Sequence, residues 1–155
     1  VVGRNIDGLP PGVRTTKDHY AVRSPLVGIH AGLSASRTDL TFVVACDMPY
    51  VESSLVEFLL AQSEDTDVAV PVVRGYYEPL CATYRRTCLA PIEELIGSGV
   101  LKVSKLYGLV RVQEFSEEET LEHDRELRSF VNLNSPTRTG SSANEPHPEW
   151  RNRDE

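Results

Sequence analysis

From Leu40 to Cys46 the chain runs Leu-Thr-Phe-Val-Val-Ala-Cys, and Asp47, Met48 and Pro49 follow at once. An apolar, β-branched run of this length reads as a fully buried strand, and a carboxylate next to a proline reads as the turn that ends it. Further runs repeat the theme: Asp67 to Val73, Glu78 to Arg85 with Leu80, Ala82 and Tyr84 alternating with polar residues, and Val110, Val112 and Phe115. Between them the apolar residues fall at helical spacing, as Leu26, Ile29 and Leu33, as Leu55, Val56, Phe58, Leu59 and Leu60, and as Leu89, Ile92, Leu95 and Ile96. Strands alternating with helices imply an α/β fold, Rossmann-like, with a mostly parallel sheet and helices on both faces. In such folds the chemistry collects beyond the carboxyl ends of the strands.

The punctuation agrees with this order. Ser24-Pro25 opens the first helix, Ser53 or Ser54 caps the second, and Thr87 with Pro91 starts the third, which Gly97 and Gly99 stop. Gly75-Tyr76-Tyr77 marks a hairpin-like turn. Val1-Val2 before Gly3-Arg4-Asn5 reads as the last rungs of a strand, and Asp7 to Arg23 is turn-rich around a short Val13 to Thr16 segment. Gly28 and Gly32 lie inside the first helix, where glycine costs about 1 kcal/mol relative to alanine; they signal either tight packing or backbone close to a ligand. The acidic run from Glu117 through Glu122 to Asp124 reads as a solvated face.

Composition narrows the classes of function. A net charge of -7 over 155 residues disfavours a nucleic-acid backbone as partner. Three cysteines, Cys46, Cys81 and Cys88, have neither paired spacing nor a neighbouring histidine, which disfavours a disulfide framework or a zinc site and fits a reducing, cytoplasmic setting. No apolar stretch reaches the length of a membrane span. We expect one domain over residues 1–136 and a disordered polar tail over 137–155.

Asp18, Asp47 and the pair Asn132 and Asn134 each fall at an expected strand end. An aspartate on the rim of a dry core can hold a hard cation such as Mg²⁺ through oxygen; it can equally do no more than begin a turn. Arg4, Lys17, Arg23, Lys102 and Lys105 are the cations nearest these ends, and each reads as an ordinary surface charge.

Four segments in order, Ser24-Pro25-Leu26-Val27-Gly28-Ile29, Cys46-Asp47-Met48-Pro49-Tyr50, Glu78-Pro79-Leu80 and Phe130-Val131-Asn132-Leu133-Asn134-Ser135-Pro136, resemble the molybdenum cofactor guanylyltransferase family. The resemblance covers roughly Val1 to Pro136. It implies the fold of the nucleotide-diphospho-sugar transferases and transfer of GMP from GTP to molybdenum-bound molybdopterin, with Mg²⁺ as cofactor and release of pyrophosphate. It also implies site residues: Asp47 as magnesium ligand and catalytic carboxylate, Asp18 on the guanine nucleotide, Asn132 and Asn134 on the molybdopterin side. Pro25, Leu26 and Gly28 match a Gly-Pro-Leu-Ala-Gly segment in which Ser24 replaces the first glycine.

The pattern departs from the family in two places. Gly3, with Asn5 two places on, stands where family members often carry asparagine. The strand and glycine-rich loop with which family members begin, whose amides and cations hold the triphosphate, have no counterpart in Val1 to Glu155, so we expect a fold lacking its first strand and loop, with an unpaired neighbouring edge. The alternative functions are a non-catalytic cofactor-binding or molybdoenzyme-adaptor protein, and a cytidylyl or sugar-phosphate nucleotidyltransferase. Partners beyond the small-molecule nucleotide and pterin substrates would be molybdoenzymes or other proteins of cofactor biosynthesis.

Overall fold

A computed structural model describes residues 1–3 and 9–133. Ser24 opens α1 (Pro25–Ala35): its hydroxyl accepts the Val27 amide and Pro25 fills the first turn, where its missing N–H costs nothing. There follow β1 (Leu40–Val44), α2 (Ser53–Ala61), β2 (Val68–Val73), the two-residue β3 (Tyr76–Tyr77) and β4 (Cys81–Arg85). A 3₁₀ turn leads into α3 (Leu89–Gly97), and α4 (Ser104–Tyr107), β5 (Val112–Phe115), α5 (Glu117–His123) and a second 3₁₀ turn (Arg128–Phe130) complete the order.

The expected helices and strands are present, and helices flank the sheet, but the pairing differs from a mostly parallel sheet. β4 lies between β1 and β2 and is antiparallel to both; β2 pairs antiparallel with β3 and parallel with β5. The cause is local. Arg74 (φ 53°) and Gly75 (φ 78°) form a tight reversal, so the chain leaving β2 returns beside it rather than crossing over through a helix. β1, β2 and β5 still run in one direction, which keeps their carboxyl ends on one edge.

Alternation along β2 and β4 divides the interior in two. Val68, Val70, Ala82 and Tyr84 pack with Leu26, Ile29 and Leu33 of α1 and with Ile92 and Ile96 of α3, whereas Ala69 and Cys81 pack with Met48, with Leu55 and Leu59 of α2 and with Phe115. Side chains of successive residues point to opposite faces, so each of these strands must be apolar on both. β1 is different. It is partly exposed along its length, with Val44 43% accessible, which corrects the expectation of a full burial there. Its only strand partner among the described residues is β4, and Thr41 through Cys46 border a cavity instead.

Two capping expectations also shift. Glu52, not Ser53 or Ser54, is the N-cap of α2, and the Ser54 hydroxyl donates to the carbonyl of His123. Thr87 sits in the 3₁₀ turn before α3 and donates to Asp67 Oδ1 at 2.7 Å. In the acidic run, Ser116 and Glu119 form a reciprocal capping box that starts α5, and three glutamates occupy the first turn, where the helix dipole favours negative charge.

Candidate functional site

A cavity of about 1290 Å³ lies between β1, the face of α1 that carries Pro25, Gly28 and Gly32, and the Val13–Thr16 segment, which forms a parallel bridge to Val2 through Thr16. Its walls are apolar where Val2, Ile29 and Phe42 contribute, and polar where Thr15, Thr16, Ser24 and Thr41 add hydroxyls. Asp18 and Arg23 stand on its border, and β1 delivers Cys46 to it at the strand's carboxyl end. Clefts that are mostly apolar with a few convergent polar groups are the usual shape of a small-molecule site.

Asp47 follows Cys46 directly and is half-buried. Its backbone carbonyl accepts the amide of Leu133 at 3.0 Å, which sets Asn132, also half-buried, against the end of β1. Asn132 does not close a strand, as expected from sequence, but follows the 3₁₀ turn Arg128–Phe130. Asn134 lies outside the described residues, as do Arg4, Asn5 and the 137–155 segment. The structure thus brings Asp47 together with Asn132, and Asp18 together with Pro25 and Gly28 on one cavity. Leu26 goes elsewhere: it is fully buried in the core between α1 and the sheet and does not border the cavity.

The two glycines of α1 can now be read. A Cβ at Gly28 would meet nothing within 4 Å, and one at Gly32 would touch Val2 Cγ2 at an ordinary 3.6 Å. Among the described residues, packing therefore does not require glycine at Gly28. Gly28→Ala is expected to stabilise the fold by about 0.5–1 kcal/mol through helix propensity while weakening nucleotide binding. Thermal unfolding and titration of the variant check both arms; a stabilised protein with unchanged affinity would remove Gly28 from the site.

At the same sheet edge Val44 pairs with Cys81. Burial pushes the Cys81 thiol up to about 12, and the nearby carboxylates of Glu78 and Asp124 add to the rise, so this cysteine stays protonated and inert. Glu78 and Asp124 are themselves buried. Sequence reasoning missed Asp124 by counting it with the solvated glutamates, although an aspartate four and five residues ahead of Arg128 and Ser129 is spaced to cap a following turn. Among the described residues no group of three or more His, Cys, Asp or Glu side chains is placed to hold a metal, so a cation here would rest on Asp47 with ligands from substrate and water. That donor set fits magnesium, which commonly takes one or two protein carboxylates and fills its shell with phosphate oxygens and water.

The profile of the MobA-like NTP transferase domain matches residues 1–132. A protein of Pelotomaculum thermopropionicum named "Probable molybdenum cofactor guanylyltransferase" is 39% identical over 131 residues, covering 84% of this chain and 64% of the relative. The "Molybdenum cofactor guanylyltransferase" of Desulfosudis oleivorans is 37% identical over 119 residues, covering 76% and 59%. The crystal structure of molybdopterin-guanine dinucleotide biosynthesis protein A from Archaeoglobus fulgidus superposes with a TM-score of 0.69 at 29% identity, covering 79% of this chain and 62% of that one. The chain spans about three fifths of the length of the curated relatives named here.

Proposed function

The chain belongs to the MobA-like NTP transferase family, and from that premise we propose that it builds the metal and pterin side of a site that transfers GMP from GTP to molybdenum-bound molybdopterin, releasing pyrophosphate. The names of the relatives support this reading. The observation that carries it is the hydrogen bond from the Leu133 amide to the Asp47 main-chain carbonyl, which holds the asparagine segment against the end of β1, one residue beyond Cys46 on the cavity's border.

In this reading Asp47 holds Mg²⁺, and the ion when bound supplies positive charge to the triphosphate. Asp18, Pro25 and Gly28 receive the nucleotide along the cavity, with Asp18 accepting from guanine N–H groups. Asn132, with Asn134, offers amide donors and acceptors to the pterin side. The cytoplasm is the expected setting; all three cysteines are free thiols, and no helix among the described residues is long and apolar enough to cross a membrane.

Calorimetric titration of the 155-residue chain with GTP, with and without Mg²⁺ and with CTP as control, tests the proposal. Magnesium-dependent binding of GTP and none of CTP is expected. Preferential binding of CTP would move the assignment to the cytidylyl branch, and no binding to a folded protein would mean an incomplete enzyme or a cofactor-binding adaptor.

A further inference from the structure

The segment from Asp124 to Leu133 follows the loop between β1 and α2 at successive points. Leu133 donates to the Asp47 carbonyl at 3.0 Å, the Arg128 guanidinium lies over the Tyr50 ring at 5.2 Å from its centroid, and the Ser129 hydroxyl accepts the Glu52 amide at 2.9 Å. Ser129 is fully buried, and Phe130 packs against the cluster that contains Met48 and Val51. What shapes this strap is a single carboxylate. Asp124, 2% exposed, accepts the Arg128 amide at 3.0 Å on one oxygen and the Ser129 amide at 2.7 Å on the other, while its carbonyl accepts the Leu127 amide. Leu127 takes a left-handed conformation, φ 52°, to make the reversal.

We propose that Asp124 is a positioning residue: by capping the Arg128–Phe130 turn it holds Asn132 in register with Asp47. This rests on the reading of Asn132 and Asp47 as site residues. A carboxylate offers two acceptors to two converging N–H groups, and charge-assisted bonds to backbone amides are stronger than neutral ones. An asparagine of the same size has one acceptor and presents N–H₂ to the second donor. The turn then loses one of its two anchors, and the loss is felt three residues on, at Asn132.

The test is a double-mutant cycle in the full-length protein with Asp124→Asn and Asn132→Ala. In Asp124→Asn, KM for molybdenum-bound molybdopterin is expected to rise about tenfold, with KM for GTP within about twofold of wild type. Because Asp124 acts through Asn132, the double variant is expected to be no worse than Asn132→Ala alone; multiplying effects would overturn the proposal. Hydrogen exchange of the Leu133 amide, expected to accelerate about tenfold or more in Asp124→Asn, needs no substrate. An unaffected KM in Asn132→Ala would sink the site reading, and an unchanged Leu133 exchange rate would sink the positioning role independently. Should Asp124→Asn fail to fold, Asp124→Ser, whose short hydroxyl cannot accept both the Arg128 and Ser129 amides as the two carboxylate oxygens do, is expected to give the same exchange and KM changes, and unchanged values there would overturn the proposal.

Discussion

Asp47→Asn, in the full-length protein, is expected to reduce magnesium-dependent GMP transfer by about 100-fold or more while leaving the unfolding midpoint essentially unchanged. The substitution removes a negative charge from the end of β1 but almost no volume, and a neutral amide oxygen is a poor ligand for a hard divalent cation. The link to the C-terminal strap is kept in the variant, because Leu133 donates to the Asp47 main-chain carbonyl. Steady-state turnover across a magnesium titration, beside a thermal melt, separates the two effects. Turnover equal to wild type at saturating magnesium would exclude Asp47 from the reaction, and a large fall in melting temperature would make the activity loss uninterpretable as chemistry.

The reason the strand-end place of Asp47 was legible in the sequence, and the buried cap at Asp124 was not, is one of range. Asp47 ends an apolar run, so its position at the sheet's edge follows from the strand itself, and the period of the neighbouring segments gave the helices around it. The strand directions did not follow. β4 enters antiparallel between β1 and β2 because Arg74 and Gly75 reverse the chain, and an arginine with positive φ has no signature in composition or periodicity. The exposure of β1 is equally non-local, since it depends on what pairs with its outer edge rather than on Phe42 or Val43. Pro25, Leu26 and Gly28 are neighbours in sequence but not on the helix surface: successive residues are 100° apart, so Leu26 turns into the core while Gly28 faces the cavity. Asp124 sits within a run of glutamates, and only its distance to Arg128 and Ser129 in space separates a buried cap from a solvated charge.

The largest loss of stability is expected at Asp67, where Asp67→Ala should cost about 3 kcal/mol. The residue sits at the start of β2, and its carboxylate accepts the Thr87 hydroxyl at 2.7 Å, the Arg111 amide at 3.0 Å and Arg111 Nε at 3.2 Å. Its carbonyl accepts the Arg85 amide at 2.8 Å, and its own amide donates to Arg111. One side chain thereby joins the approach to β5 with the turn that launches α3, and truncation removes the acceptor shared by the Thr87 hydroxyl and the Arg111 amide, in a part-buried network. The guanidinium is mostly exposed, so the ion pair itself adds little to that figure. Burial alone would raise the Asp67 pKa, but the hydrogen bonds from Thr87 and Arg111 and the charge of Arg111 outweigh it and hold the carboxyl below its ordinary range. A carboxyl with a lower pKa folded than unfolded contributes stability above its unfolded value, about 3.9, and loses it as the pH falls through the folded value. The gap between wild type and Asp67→Ala should therefore be widest near neutral pH and narrow below about pH 4. Urea unfolding of both proteins at pH 7 and again near pH 3 measures it; a gap that stayed constant across that interval would mean that packing, and not the ionised carboxylate, holds these strands together.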